Sequence, residues 1–199
     1  MVGVIENTGQ GDFCFYYLNE GIEEAQKEGF TPYIDFPDTT RTYKDNVLDV
    51  FGQRLIKFDR TDVQKYLDFW EVLPEDKEDK YKLLAFTQAM LPTDNFEFLA
   101  DFYPVKGLHF VSEVCGLSGL QFKSDFIIKD DILTWQLEKD NPFDPFAVKV
   151  YKGNDFIGYI KLVHSKIFHE KPDSDFKIQV KNVDQNGIIN RIFIRISLS

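Results

Sequence analysis

The chain has 199 residues, 43% of them hydrophobic and 16% aromatic, and a formal net charge of −10. With 20 Phe and 9 Tyr it buries enough apolar surface to offset its ordering entropy, which excludes a disordered chain, and the length suits one large or two small domains. The charge is unevenly placed: residues 1 to 103 hold 10 Lys+Arg against 21 Asp+Glu, whereas residues 104 to 199 hold 13 against 12. An acidic half disfavours phosphate backbones, so any nucleic acid is expected at the second half.

Only Cys14 and Cys115 are present, which excludes a disulfide scaffold or a multi-cysteine zinc site and leaves two buried thiols as the expectation. There is no repeat or low-complexity segment. No apolar run reaches the roughly 20 residues that span a bilayer, and MVGVIENTGQ lacks the basic and apolar blocks of a secretory signal. No membrane partner and a cytoplasmic location are expected.

In chain order, DFCFYY places Phe13, Phe15 and Tyr17 on alternate positions and predicts a strand, followed by a short acidic helix closed by Gly29. TPYIDFP predicts a strand ending on Pro37. In DNVLDVFGQRL, Val47, Leu48, Val50, Phe51 and Leu55 share a helical face after a capping Asp45 or Asn46. Thr61 and Gln64 form the pattern of a capping box, and Val63, Tyr66, Leu67 and Trp70 continue it as a helix. After the polar LPEDKEDK, YKLLAFTQAM predicts a helix that stops before Pro92, and TDNFEFLADFYP predicts a strand leading to a boundary near Pro104.

The second half changes period. Val111 to Val114, Leu133/Trp135/Leu137, Val148/Val150, Ile178/Val180 and Ile192/Ile194/Ile196/Leu198 alternate as strands, with turns at Lys152 to Asp155 and at Asn186-Gly187. This is a small β-barrel pattern, interrupted by one helical insert at residues 161 to 168. The predicted fold class is therefore α+β: an acidic strand/helix module over 1–103 and a small all-β barrel over 104–199.

Motifs for chemistry are missing. His109, His164 and His169 lack a ligand spacing and are expected on the surface, and no cofactor or metal is implied. CGLSG at 115–119 lacks the frame of a nucleophile elbow, and its serine is expected in a loop. No glycine-rich phosphate cradle occurs. Asp130 and Asp131, adjacent on a strand, would face opposite ways. LPEDKEDKYK is expected as a solvated loop, with a contact patch for a basic partner as the alternative; FCFYY is expected as core, with a stacking platform as the alternative.

One stretch carries more. KDNPFDPFAVKVY followed by GNDFIGYI, with Asn141-Pro142, Phe143, Asp144, Ala147-Val148, Val150 and Gly158-Tyr159-Ile160, resembles the hallmark of the HIRAN domain. That family is a small β-barrel module of fork-remodelling helicases that also occurs as a free-standing bacterial protein. The resemblance spans about residues 107 to 199. Pro142 and Pro145 hold the aspartate in an extended turn and Gly158 permits close backbone approach. The resemblance implies binding of single-stranded DNA at a 3′ end, with Phe143 stacking on a base, Asp144 receiving a sugar hydroxyl, and Tyr159 and Lys161 lining the groove.

The chain departs from that pattern. Cys115 and Gly116 stand where the helicase version has a basic–aromatic pair, Phe143 stands for a tyrosine, and Tyr159 stands for a histidine. The first half, from FCFYY to VFGQRL and on through LLAFTQAMLPTDNFEFL, is similar in order to the N-terminal subdomain of HipA-type toxin kinases, without their kinase lobe. That likeness implies protein contacts and no phosphotransferase activity. Two functions follow: a non-catalytic protein binding single-stranded DNA ends, or a regulatory factor of toxin–antitoxin or phage-defence circuitry that binds a protein partner through its acidic half and no nucleic acid.

Overall fold

A computed structural model describes residues 1–91, 94, 96–117, 122–123 and 125–199. The first half opens on an antiparallel hairpin of β1 (Gly3–Gly9) and β2 (Asp12–Tyr17). β2 is the alternating aromatic strand. β1 was not expected, because the β-branched Val4, Ile5 and Thr8 of GVIENTG do not alternate, and its pairing with β2 defines the strand. Helix α1 (Asn19–Lys27) ends just before Gly29, whose φ of +88° suits glycine.

FCFYY is core: Phe15 and Tyr17 are buried with Phe36 and Phe51 in one aromatic cluster. TPYIDFP forms no strand. Tyr33 and Phe36 both pack into that cluster, and the Tyr17 hydroxyl accepts from Tyr33 N and donates to Phe36 O, both at 2.8 Å. A side chain thus satisfies backbone groups that a partner strand would otherwise take.

Helix α2 (Val47–Phe51) runs into a 3₁₀ turn at Gly52–Arg54. Its expected cap is absent: Asn46 is left-handed with φ 56° and makes no side-chain capping bond. Helix α3 (Val63–Phe69) begins after Asp62 without a capping box; Asp62 instead pairs with Arg60, and Gln64 donates to Asp68 at 2.8 Å. LPEDKEDK is exposed in most positions, but Pro74–Asp76 form a 3₁₀ turn and Asp76 is buried against Lys82. Helix α4 (Lys80–Thr87) is capped by Asp79 and stops earlier than Pro92 requires, because Gln88 and Ala89 turn left-handed with φ of 57° and 41°. The segment after it is no strand: residues 96–105 are unpaired, while Pro92, Thr93 and Asn95 lie outside the described residues. Arg54 anchors it through Asp94 (both guanidinium bonds 2.8 Å) and Phe96 O (3.0 Å).

The second half supplies β3 (His109–Cys115), β4 (Ile132–Leu137), β5 (Val148–Lys152), β6 (Asp155–Ile160), β7 (Phe176–Asn186) and β8 (Ile188–Leu198). They close antiparallel in the order β3-β6-β5-β4-β7-β8. β3 closes the barrel by changing partners along its length, with His109 to Glu113 on β8 and Val114 and Cys115 on β6. Every strand the alternation predicted is present, and the inward positions, among them Phe110, Val148, Val150, Ile178, Ile194 and Ile196, form one core. The helical insert is a 3₁₀ turn at Val163–Ser165 followed by α5 (Lys166–Glu170). Asp130 and Asp131 sit in the turn before β4 and not on a strand, with Asp130 at φ 71° and Asp131 paired to Lys152 at 2.5 Å. The serine of CGLSG lies outside the described residues.

The halves meet on the outer face of β3, β8 and β7. Phe69 and Trp70 pack there on Val111 and Phe193, while Phe102 reaches the barrel core and stacks on the inward Phe110 with centroids 4.2 Å apart. Around this apolar contact the first half supplies carboxylates and the second half supplies cations. Glu71 meets Lys181 (2.5 Å) and Arg195 (2.9 Å), Glu97 meets Lys161, and Asp101 meets Lys166 (3.1 Å). Glu71 follows α3 at the position where glycine is favoured, and it is left-handed at φ 56°, a conformation costing a non-glycine residue about 1 kcal/mol.

The expectation of surface histidines fails at His164. The insert folds against the barrel, leaving His164 1% exposed with Nδ1 hydrogen-bonded to the Ser112 hydroxyl at 2.8 Å. Burial, reinforced by the charge of Lys161, pushes its pKa down from 6.5 to about 3. Folded His164 stays neutral where the unfolded chain takes up a proton, so stability is lost as pH falls from 6.5 towards 3. His164→Gln removes that loss. Denaturant titrations from pH 7 to pH 4 should show the stability gap between wild type and variant narrowing by up to about 1.4 kcal/mol per pH unit; a constant gap would refute the neutral buried imidazole.

Candidate nucleic-acid interface

The connection from β4 to β5 carries the NPFDPF sequence and is built by its own side chains. Asn141 Oδ1 accepts from Phe143 N (2.9 Å) and Asp144 N (3.0 Å), and Asp144 Oδ1 accepts from Phe146 N (2.8 Å). These are Asx-type bonds, which let a proline-interrupted segment satisfy its amides without a partner strand. Backbone bonds from Glu138 N to Ala147 O (2.9 Å) and from Ala147 N to Asp144 O (3.1 Å) close the base of the loop. His169 Nε2 lies 3.3 Å from Ala147 O, with its ring edge-on to Phe146, tying the loop to α5.

Phe143 sits on top of this frame and is 95% exposed. A large apolar ring held clear of the protein on a turn with fixed amides is an available stacking surface. Asp144 is half-buried, and among the described residues its Oδ1 is committed to the turn while Oδ2 accepts no hydrogen bond. One carboxylate oxygen is therefore structural and the other is open to a donor.

Tyr159 joins this loop through Glu138. Glu138 accepts from Asn141 (2.9 Å) and pairs with Lys149 (2.6 Å), and Lys149 is the direct cross-strand neighbour of Tyr159. The hydrogen bond from Lys149, then that from Asn141, holds the Glu138 carboxyl below the usual carboxylate range, while burial and the neighbouring Glu138 push the Tyr159 hydroxyl up. Glu138 thus links the NPFDPF loop to the strand pair that carries Tyr159.

Lys161 does not line it, which corrects the sequence reading. The residue is 7% exposed, and its ammonium sits between Glu97, Glu113 and Gln88 Oε1, the last at 3.0 Å, under the first half of the chain. The chain leaves β6 at this point, and Lys161 falls opposite Glu113, one step beyond the Val114–Ile160 pair. Gly158 does permit a close approach, but to the barrel itself: a Cβ there, at φ +144°, would lie 2.4 Å from Cys115 O. Cys115 is half-buried, so only Cys14 is the fully buried thiol expected, and burial pushes the Cys115 thiol up.

Sequence reasoning did not assign the parts played by Asn141, Glu138, Lys149 and His169. An Asn two and three residues before amides that follow a proline signals an Asx turn, so Asn141 was findable. Glu138–Lys149 depends on the β4–β5 register, and His169 on the docking of α5. Among the described residues there is no group of three His, Cys, Asp or Glu arranged to hold a metal, and no helix long and apolar enough to cross a membrane.

No family model and no curated protein matches the chain. Among solved structures, the crystal structure of the HIRAN domain of human HLTF is similar at a TM-score of 0.35 and 17% identity, over 44% of this chain and 74% of that one.

The hydrogen bonds of the turn separate architecture from recognition. Asn141→Ala removes two bonds to backbone amides and should cost about 1–3 kcal/mol, a fall of several degrees in Tm. Phe143→Ala should change stability by less than about 0.5 kcal/mol. Thermal melts of the two variants check this, and a larger loss from Phe143→Ala would mean that the ring packs on the protein.

Proposed function

We propose that this chain is a non-catalytic binding protein of two units, residues 1–103 and 104–199, whose barrel takes single-stranded DNA ends on the Phe143–Asp144–Tyr159 surface. The observation that carries the reading is Phe143, 95% exposed on a turn whose amides are already satisfied. The resemblance of the NPFDPFAV…GYI frame to the HIRAN hallmark, which falls on a closed barrel, supports it. Phe143 stacks on a terminal base, the open oxygen of Asp144 accepts a sugar hydroxyl, and Tyr159 bounds the site.

The second reading, a regulatory factor that binds a protein partner, is favoured by one feature. Lys149 is paired with Glu138 and Lys161 is buried, so these two cations give a phosphate little beside the turn. On this reading the acidic first half makes protein contacts, as its likeness to the HipA N-terminal subdomain implies.

Fluorescence anisotropy with oligonucleotides ending in 3′-hydroxyl or 3′-phosphate distinguishes the two. End binding requires preference for the hydroxyl and a loss of about 1–3 kcal/mol on Phe143→Ala. Equal or absent binding of both ends, with a stoichiometric protein partner surviving nuclease treatment in a pull-down, favours the second reading.

A further inference from the structure

Four cations of the barrel half, Lys161, Lys166, Lys181 and Arg195, run along its covered side, and each is met by a carboxylate of the first half. Glu71, Glu97 and Asp101 meet cations that lie on β7, on β8, in α5 and just after β6. Ion pairs hold an interface no better than apolar residues of the same volume, and here Phe69, Trp70, Phe102, Val111, Phe110 and Phe193 already supply the adhesion. Lys166, Lys181 and Arg195, unlike the buried Lys161, are not needed to join the halves.

Glu71 is the sharpest sign. Its backbone is left-handed, where glycine would sit without strain, yet the residue is glutamate and its carboxylate lies between Lys181 and Arg195. The Arg195 contact, at 2.9 Å, is not aligned as a hydrogen bond: both Glu71 Oε2 and Arg195 Nε are buried without such a partner. Glu71 Oε1 accepts a hydrogen bond from Lys181 Nζ (2.5 Å), whereas Oε2 meets Arg195 by proximity alone.

We infer that the acidic first half acts as a built-in polyanion mimic. It occupies a cationic face of the barrel that would otherwise take the phosphate backbone of single-stranded nucleic acid, and so confines the nucleic acid to the Phe143 side. This rests on the nucleic-acid reading above but concerns a different face. Glu71 is the plug at the rim, where Arg195 keeps 43% of its side chain exposed. Lys161, at 9%, lies too deep to contribute.

The test uses the full chain. Glu71→Gly removes the carboxylate and relaxes the left-handed residue but leaves the largely buried Lys181 without its partner, so thermal melts first establish that the variant is folded at the assay temperature, and Glu71→Gln is the variant to use if it is not. Binding of a labelled oligothymidylate is followed by anisotropy across a salt series. Unmasking predicts about tenfold tighter binding at low salt and a log–log salt slope steeper by about 1.4, from two added phosphate contacts at roughly 0.7 each. The gain should persist in a Phe143→Ala background. A folded variant with unchanged affinity and slope overturns the inference, and so does a gain that vanishes with Phe143→Ala. If Phe143→Ala has no effect on the wild type while Glu71→Gly still gains affinity, the end-binding reading fails and the masked face stands.

Discussion

The ammonium of Lys161 is the point on which the two halves and three barrel strands depend. Taking it out of water costs several kcal/mol, which is offset only by ion pairs and hydrogen bonds in good geometry. Glu97 supplies one from the first half, Glu113 a second from β3, and Gln88 Oε1 a third. Gln88 can reach it because α4 ends at Thr87 and two left-handed residues turn the chain inward. Helix propensity favoured continuing to Leu91; the need to satisfy a buried cation overrides it. Glu113 in turn is shared with Arg191 of β8 at 2.7 and 2.8 Å. Its carboxyl lies below the usual range although burial alone would raise it, because the bonds and charges of Arg191 and Lys161 outweigh desolvation. Removing any one member leaves another charge buried without its partner, so the group behaves as a unit.

This network decides what the candidate interface can offer. With Lys161 committed beneath the first half and Lys149 committed to Glu138, the NPFDPF turn presents an aromatic ring and one open carboxylate oxygen. Recognition there must come from stacking and a directed hydrogen bond, which are sequence-tolerant and weakly dependent on salt, and less from phosphate contacts, which are strongly dependent on it. Three of the first-half carboxylates, Glu71, Glu97 and Asp101, serve complementarity between two packed surfaces. To that extent the charge difference between the halves is poor evidence about external partners.

The barrel was legible because each strand buries one face, so alternation survives in Leu133/Trp135/Leu137 or Ile192/Ile194/Ile196 whatever the neighbours are. The first half was less so. Tyr33 and Phe36 are three apart and point into one aromatic cluster from a turn, yet between two prolines they read as a strand. The caps expected at Asn46 and Thr61 depend on one dihedral and one rotamer each, which Arg60 and the approach to α2 decide instead. His164 carried no sign of burial, since its place opposite Ser112 exists only once the insert docks. At the candidate site the aromatic–aspartate turn was readable from local grammar. Lys161 was misplaced because an alternating strand says which face a residue occupies, and not what covers that face.

Cys115, Gly116 and Tyr159 meet at one place on the barrel. Cys115 is the cross-strand partner of Tyr159, so the two side chains share the outer face. At Gly116 a Cβ would lie 3.5 Å from Tyr159 Cδ2, and φ there is +81°, a conformation that an aromatic side chain takes only under strain. A basic residue at 115 would add a second cation beside Lys161, in a pocket whose carboxylates are already shared with Arg191. Backbone conformation at 116 therefore disfavours an aromatic residue there, and a basic residue at 115 would enter a pocket whose carboxylates are already taken.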